Sequence, residues 1–226
     1  MSKDVSTVLN RDGFASTLQG PAMPRTGLTA LEIKNKAVEA TMVKMRQVGF
    51  DKVRLTDVAK KLGVSHAALY AHFEDKSALL DAVSERWLLQ VDESLAAVCR
   101  KPGKDPLEKI QLWMLTLHRA KLAKIQHDPE LYKSFDLSAS MEKAYVRRHM
   151  ETMHAQLVDL AKEAIAKRRL RDADPAAIAL VIHESMMAFH HPKLVAHHMH
   201  EKREPLLRLV LDSVLKGLDL KAVRAA

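Results

Sequence analysis

Residues 49–80 read GFDKVRLTDVAKKLGVSHAALYAHFEDKSALL, and the fold is decided by how this stretch is punctuated. Thr56 to Leu62 predicts a short helix with apolar positions at Val58, Ala59 and Leu62. Gly63 allows a left-handed turn, and Ser65 is placed to cap a second short helix. Helix, glycine turn and helix make the helix-turn-helix layout, in which the second helix enters a DNA major groove. Val64, Leu69 and Phe73 are spaced to face the module's own core, leaving Ser65, His66, Ala67, Ala68, Tyr70 and His72 outward.

Outward from this stretch the chain is marked by helix starts. Thr29-Ala30-Leu31-Glu32 is a capping box, and the helix it opens stops at Gly49. Asp105-Pro106, Asp128-Pro129 and Asp174-Pro175 each pair an N-cap carboxylate with proline at the first helical position. Thr56, Ser65, Asp75 and Ser140 are further N-cap candidates. Helices are expected near 29–48, 56–62, 65–72, 76–99, 105–126, 130–138, 140–169, 174–190 and 203–218, with no period-2 strand run. Only 7 Gly and 8 Pro in 226 residues leave few turns for a β-sandwich or barrel. The expected fold class is therefore all-α. A flexible arm (1–27) precedes a three-helix helix-turn-helix domain (28–80), and a helical ligand-binding and dimerisation domain (81–226) follows. The helix at 76–99, striped with Leu80, Val83, Trp87, Val91, Leu95 and Val98, joins the two.

The outward face of the second short helix suits DNA. His66 can donate to a base acceptor or a phosphate, and Ala67 and Ala68 permit close approach and thymine-methyl contact. The Tyr70 hydroxyl, the Lys76 ammonium and free amides at helices starting near Thr56 and Asp75 suit phosphate oxygens. The signature Gly49-Phe50, Thr56-Asp57-Val58-Ala59, Gly63-Val64-Ser65, Leu69-Tyr70, His72-Phe73, Lys76 and Leu79-Leu80 resembles the DNA-binding domain of the TetR (tetracycline-repressor-like) family over residues 29–80. Many members carry Gly followed by Thr or Ser where this chain has Ala67-Ala68, so a hydroxyl contact of relatives is absent and their operators do not transfer.

The resemblance implies a C-terminal domain that dimerises and holds a small-molecule inducer, hence a repressor that leaves a palindromic operator when its effector binds. Independently, residues 176–189 are apolar nearly all round, and 205–218 carry a stripe too wide for one contact. Two such helices meeting their symmetry mates predict a four-helix homodimer interface, which would set two recognition helices on two half-sites. A ligand pocket is expected from Trp113, Met114, Leu117, His118, Met150, Met153, His154, His183, Met186 and Met187, since methionine adapts to varied apolar ligands. The alternative is a metal- or small-molecule-binding helical bundle with no DNA role.

Other features weigh less. His190-His191-Pro192-Lys193-Leu194-Val195-Ala196-His197-His198-Met199-His200 invites a metal reading, yet lacks ligand spacing and reads rather as a polar, partly exposed link between two helices, with Pro192 breaking the first. No metal or other cofactor is expected. Gly-x-Ser-x-Gly, Walker A and Gly-x-Gly-x-x-Gly are all missing, so an enzyme is not expected. Lys167-Arg168-Arg169 with Arg171 reads as a solvated helix end. Arg25, in the arm, is placed either to reach a minor groove or to lie in a tail without a role. The single Cys99 excludes an intramolecular disulfide and suits a reducing cytosol. No run approaches the roughly 18 apolar residues of a membrane span, and the first 27 residues lack a secretory core block. A cytoplasmic location without membrane partners is expected. The net charge of +8 favours an anionic partner, but most of that surplus lies after residue 100.

Overall fold

The computed structural model describes residues 27–139 and 143–219, and among these the chain is helical with no strand. In order come α1 (Ala30–Val48), a 3-10 turn (Phe50–Lys52), α2 (Leu55–Leu62), α3 (His66–Tyr70), α4 (Lys76–Cys99), α5 (Pro106–His127) and α6 (Pro129–Ala139). There follow α7 (Ala144–Ala166), α8 (Pro175–Ser185), α9 (Met187–His190), α10 (Pro192–His197) and α11 (Glu204–Gly217).

Local chemistry sets most helix starts. The Thr29 hydroxyl accepts the Glu32 amide at 3.2 Å, and Glu32 returns the bond to the Thr29 amide at 2.8 Å, a complete capping box. Asp75, Asp105 and Asp174 accept the amides of Ala78, Leu107 and Ala176 at 2.7, 2.9 and 3.0 Å. Elsewhere the boundaries move. α2 starts at Leu55 with Arg54 at its N-cap, so Thr56 is an exposed first-turn residue and does not cap. Val53 and Leu55 are both buried, which draws the chain into the core and winds it one residue early. Ser140 lies outside the described residues, as does the arm before residue 27.

The helix expected over 174–190 breaks at Met186. The His183 carbonyl accepts both the Met186 amide at 3.2 Å and the His190 Nε2–H at 3.0 Å, which turns the chain. Pro192 opens a short helix here; the expected polar link is instead α10, because proline's fixed φ suits a first helical turn.

Two cores lie on one continuous helix. Ala37, Met45, Val58, Leu69 and Phe73 pack on Leu79 and Val83 of α4. Trp87, Leu88, Val91 and Leu95, further along α4, join the larger core built from α5 to α11. At 24 residues α4 is about 36 Å long, a strut common to both.

The modules also meet away from α4. Asp128, just before α6, receives Arg46 of α1 through two bonds, Nε at 3.1 Å and Nη2 at 2.6 Å, and Lys124 of α5 at 3.2 Å. Glu130 accepts the Phe50 amide at 3.0 Å. Leu131 of α6 inserts into the smaller core. Gly49 ends α1 at φ +85°, a torsion that favours glycine, and a Cβ there would lie 3.2 Å from Glu130 Oε2, so that side chain would have to shift slightly.

Candidate nucleic-acid interface and effector region

α2 and α3 are joined by Gly63 in the left-handed region, φ +67°. The Ser65 hydroxyl accepts the Ala68 amide at 3.1 Å and starts α3. Leu69, fully buried, and Phe73 anchor α3 to the smaller core. One helical face is thereby fixed inward and the other presented to solvent. Ser65, His66, Ala67 and Tyr70 are exposed, while Ala68 and His72 are half-buried. The His66 and Tyr70 rings, one turn apart, meet edge to face with centroids 4.5 Å apart. The face offers an imidazole, a phenol, a hydroxyl and two methyl groups, a set that reads groove edges and phosphates.

Lys76 is half-buried, and its ammonium donates to the Asp51 carbonyl. It ties the start of α4 to the 3-10 turn as well as standing near the module surface. Exposed Arg54, at the amino end of α2 where no side chain caps the amides, escaped the sequence reading. The displaced helix start hid it, because Thr56 took the role of cap.

The expected effector residues divide. Trp113, Met114, Leu117, His118, Met153, His183 and Met186 are buried, and Met187 is half-buried. Trp113 Nε1–H donates to Gln156 Oε1 at 2.9 Å, and His118 Nδ1 to the Phe189 carbonyl at 2.8 Å. Met150 and His154 are not brought into this group. The phase of α7 is set by Tyr145, His149, Met153, Leu157 and Leu160, which face inward, so residues 150 and 154 look out to solvent. His118 lines a cleft of about 610 Å³ with Gln126, Met199 and Arg203.

A polar chain that sequence reasoning missed crosses this interior. Asp92 of α4 binds His149 Nδ1 at 2.6 Å, and His149 Nε2 meets Lys121 Nζ of α5 at 3.4 Å. Burial, foremost, lowers the His149 pKa, so the imidazole is neutral. It donates from Nδ1 to the carboxylate and offers Nε2 as acceptor to the lysine. Burial likewise pushes Lys121 down to about 8, against the attraction of Asp92. Lys121 was legible in one respect. It falls in phase with Met114, Leu117, His118 and Ile125, on the inward stripe of α5.

The histidine run is dispersed: His190 is buried against the His183 ring with centroids 4.3 Å apart, whereas His198 bonds Glu201 at 2.7 Å. Among the described residues no group of three or more His, Cys, Asp or Glu could hold a metal ion. Of the basic run, Lys167 pairs with Glu163 and Arg169 with Asp105, both at 2.8 Å. No described helix is long and apolar enough to cross a membrane.

Comparison with known proteins places this geometry. Residues 37–83 match the family described as bacterial regulatory proteins, tetR family, and residues 106–211 match the tetracyclin repressor-like C-terminal domain. The HTH-type transcriptional repressor KstR of Rhodococcus jostii is 27% identical over 132 residues, 55% of this chain and 59% of its own length. The match thus spans about three-fifths of that relative. A putative TetR-family transcriptional regulator from Mesorhizobium loti superposes with a TM-score of 0.63 at 17% identity, over 84% of this chain and 96% of the other. SmeT, the repressor of the Stenotrophomonas maltophilia multidrug efflux pump SmeDEF, gives a TM-score of 0.58 at 20% identity, over 85% and 91%. A SmeT–triclosan complex is similar as well.

Proposed function

This chain belongs to the TetR family of bacterial regulators, and from that premise we propose that it is a DNA-binding transcriptional repressor. It acts as a homodimer on a palindromic operator and leaves that operator when a small-molecule effector binds among its C-terminal helices. The observation that carries the reading is the α3 face. Ser65, His66, Ala67 and Tyr70 are solvent-exposed on a helix whose opposite side is locked by Leu69 and Phe73. Residues 28–80 form the DNA-binding domain and 81–226 the effector and dimerisation domain, with α4 passing from one to the other.

Dimerisation is supported by Leu180 and Val181 on α8 and by Leu206 and Leu209 on α11, all large apolar residues at the surface of the single chain. Paired across a two-fold axis, these helices would set two α3 faces on successive half-sites. The effector then favours a dimer geometry whose half-site spacing no longer fits. Membership of a family whose similar structures include a repressor in complex with triclosan supports a small organic effector for this chain also.

Footprinting with purified protein over the DNA upstream of its own gene tests the operator. Protection of one palindromic site is expected, and the absence of any protected palindrome at low salt overturns the assignment.

A further inference from the structure

Among the described residues after α4 three lysines are buried, and they differ in one respect. Lys109 has Glu163 at 2.9 Å and Lys124 has Asp128 at 3.2 Å. Lys121, only 4% exposed, has no carboxylate within ion-pair distance among the described residues. Its neighbours are the neutral His149 Nε2 at 3.4 Å and two aromatic faces, Trp87 with its centroid 4.9 Å away and Phe135 at 5.3 Å. Asp92, whose charge reaches Lys121, is already engaged by His149 Nδ1. Two basic groups also lie near Lys121: His118 one turn earlier on α5, and buried His190 of α9, on which the Lys121 charge acts. An ammonium removed from water without a counter-ion is costly, and a hydrogen bond to a neutral imidazole with two ring faces does not supply the missing opposite charge. Packing alone therefore leaves the charge of this lysine unanswered.

We infer that Lys121, oriented by His149 and walled by Trp87 and Phe135, is the seat for the carboxylate of an apolar or aromatic monocarboxylate effector. This deepens the effector-released reading above and rests on it. The ligand's carboxylate supplies the missing counter-charge, and its hydrocarbon body replaces the ammonium against the rings. A cleft of about 510 Å³ between α4 and α5 is lined by Trp87, Ala120, Ala123 and Lys124; Lys121 is not part of that lining, but shares with it the Trp87 indole. Lys124 lies one turn beyond Lys121 against the same indole, 5.4 Å from its centroid, and holds Asp128, which holds Arg46 of α1. Occupancy of the seat is thus felt one helical turn from the contact that ties the DNA-binding module down.

Matched probes test the inference. Calorimetric titration of the full chain compares 2-naphthoate with neutral 2-naphthamide, and decanoate with decan-1-ol, in the wild type, Lys121→Met and Lys121→Arg. Each carboxylate is expected to bind the wild type at least about tenfold more tightly than its neutral partner. Lys121→Met removes that preference and Lys121→Arg keeps most of it. Thermal melts of Lys121→Met are expected to match or exceed the wild type, whereas a lysine retained for packing would lose stability on replacement. Equal binding of acid and neutral probe, no binding of either acid at millimolar concentration, or an unchanged preference in Lys121→Met overturns the inference. Footprints run on the same samples separate the two readings. A protected operator indifferent to carboxylates leaves the repressor standing without this seat. Carboxylate binding without any operator leaves the seat standing without the repressor.

Discussion

His66 and Tyr70 touch ring edge to ring face on the exposed side of α3, so on the proposed reading the two rings would meet DNA as a unit. Removing the imidazole frees the phenol from its rotamer as well as deleting a donor. Operator affinities of His66→Ala, Tyr70→Ala and the double variant are therefore expected to be non-additive by about 0.5–1.5 kcal/mol, the usual worth of an aromatic pair. In base-substituted operators His66→Ala changes preference at its own position; Tyr70→Phe instead weakens all sequences alike, by roughly fivefold for one lost phosphate bond. A second residue-scale expectation concerns pH. Burial, above all, drives the His190 imidazole down to about 4, opposed by its bond to the His183 carbonyl and reinforced by the charges of His183, Lys121 and His191. The unfolded chain takes up this proton below about pH 6.5 and the folded chain refuses it until about pH 4. Stability is complete above the first value and falls as pH drops toward the second, by up to roughly 3 kcal/mol. Buried His149 acts in the same direction. Urea unfolding near neutrality and near pH 5 is expected to show this decline, with a shallower slope in His190→Gln.

Between elements, one carboxylate links all three of α1, α5 and α6. Asp128 is buried and serves both Arg46 and Lys124; burial pushes its pKa up, and these two cations together outweigh that and hold it below the usual carboxylate range. Asp128→Asn leaves Lys124 buried without a counter-charge, and a loss of roughly 1–3 kcal/mol is expected in thermal or urea melts. Arg46 is about half exposed, so Arg46→Ala is expected to cost under about 1 kcal/mol in stability. Both variants loosen the tie between modules and are expected to blunt effector release of DNA in a binding assay. At this scale the sequence was uneven as a guide. Starts at Thr29, Asp75, Asp105 and Asp174 were legible because a cap is chemistry between neighbours. The bend at Met186 was not, since a bond from His190 to the His183 carbonyl helps to make it. The inward face of α7 was misjudged for the same kind of reason. Packing on α4 and α5 sets its phase, and His149 rather than His154 carries the imidazole inward. The chain from Asp92 through His149 to Lys121 joins three helices far apart in sequence, beyond the reach of any local pattern.

For the whole molecule, the decisive surface is the apolar one on α8 and α11. Leu209 is 64% and Leu180 52% exposed, values that suit a protomer whose partner covers them. Leu180→Glu with Leu209→Glu is expected to sediment as a monomer and to lose at least about tenfold in affinity for a full palindrome, with little change for an isolated half-site. A double variant that remains dimeric refutes this interface. The helix-turn-helix at this scale was legible from residues 49–80 alone, because its turn and caps are local chemistry, although its core is completed by α1 and by Leu131 of α6. The net positive charge was a poorer guide, since most of the surplus lies after residue 100, outside the helix-turn-helix.

The contact of Arg46 with Asp128 has a last consequence, in the direction opposite to induction. Free-energy coupling between two sites is reciprocal: whatever factor the effector takes from operator affinity, the operator must take from effector affinity. A tie that transmits about 1–3 kcal/mol makes the DNA-bound dimer the weaker effector binder by roughly 5- to 150-fold. Dimers off the operator would then capture effector first, and each gene copy would stay silent until that free reservoir had filled. The abundance of the protein, as much as its affinity, would set the concentration at which its target genes respond.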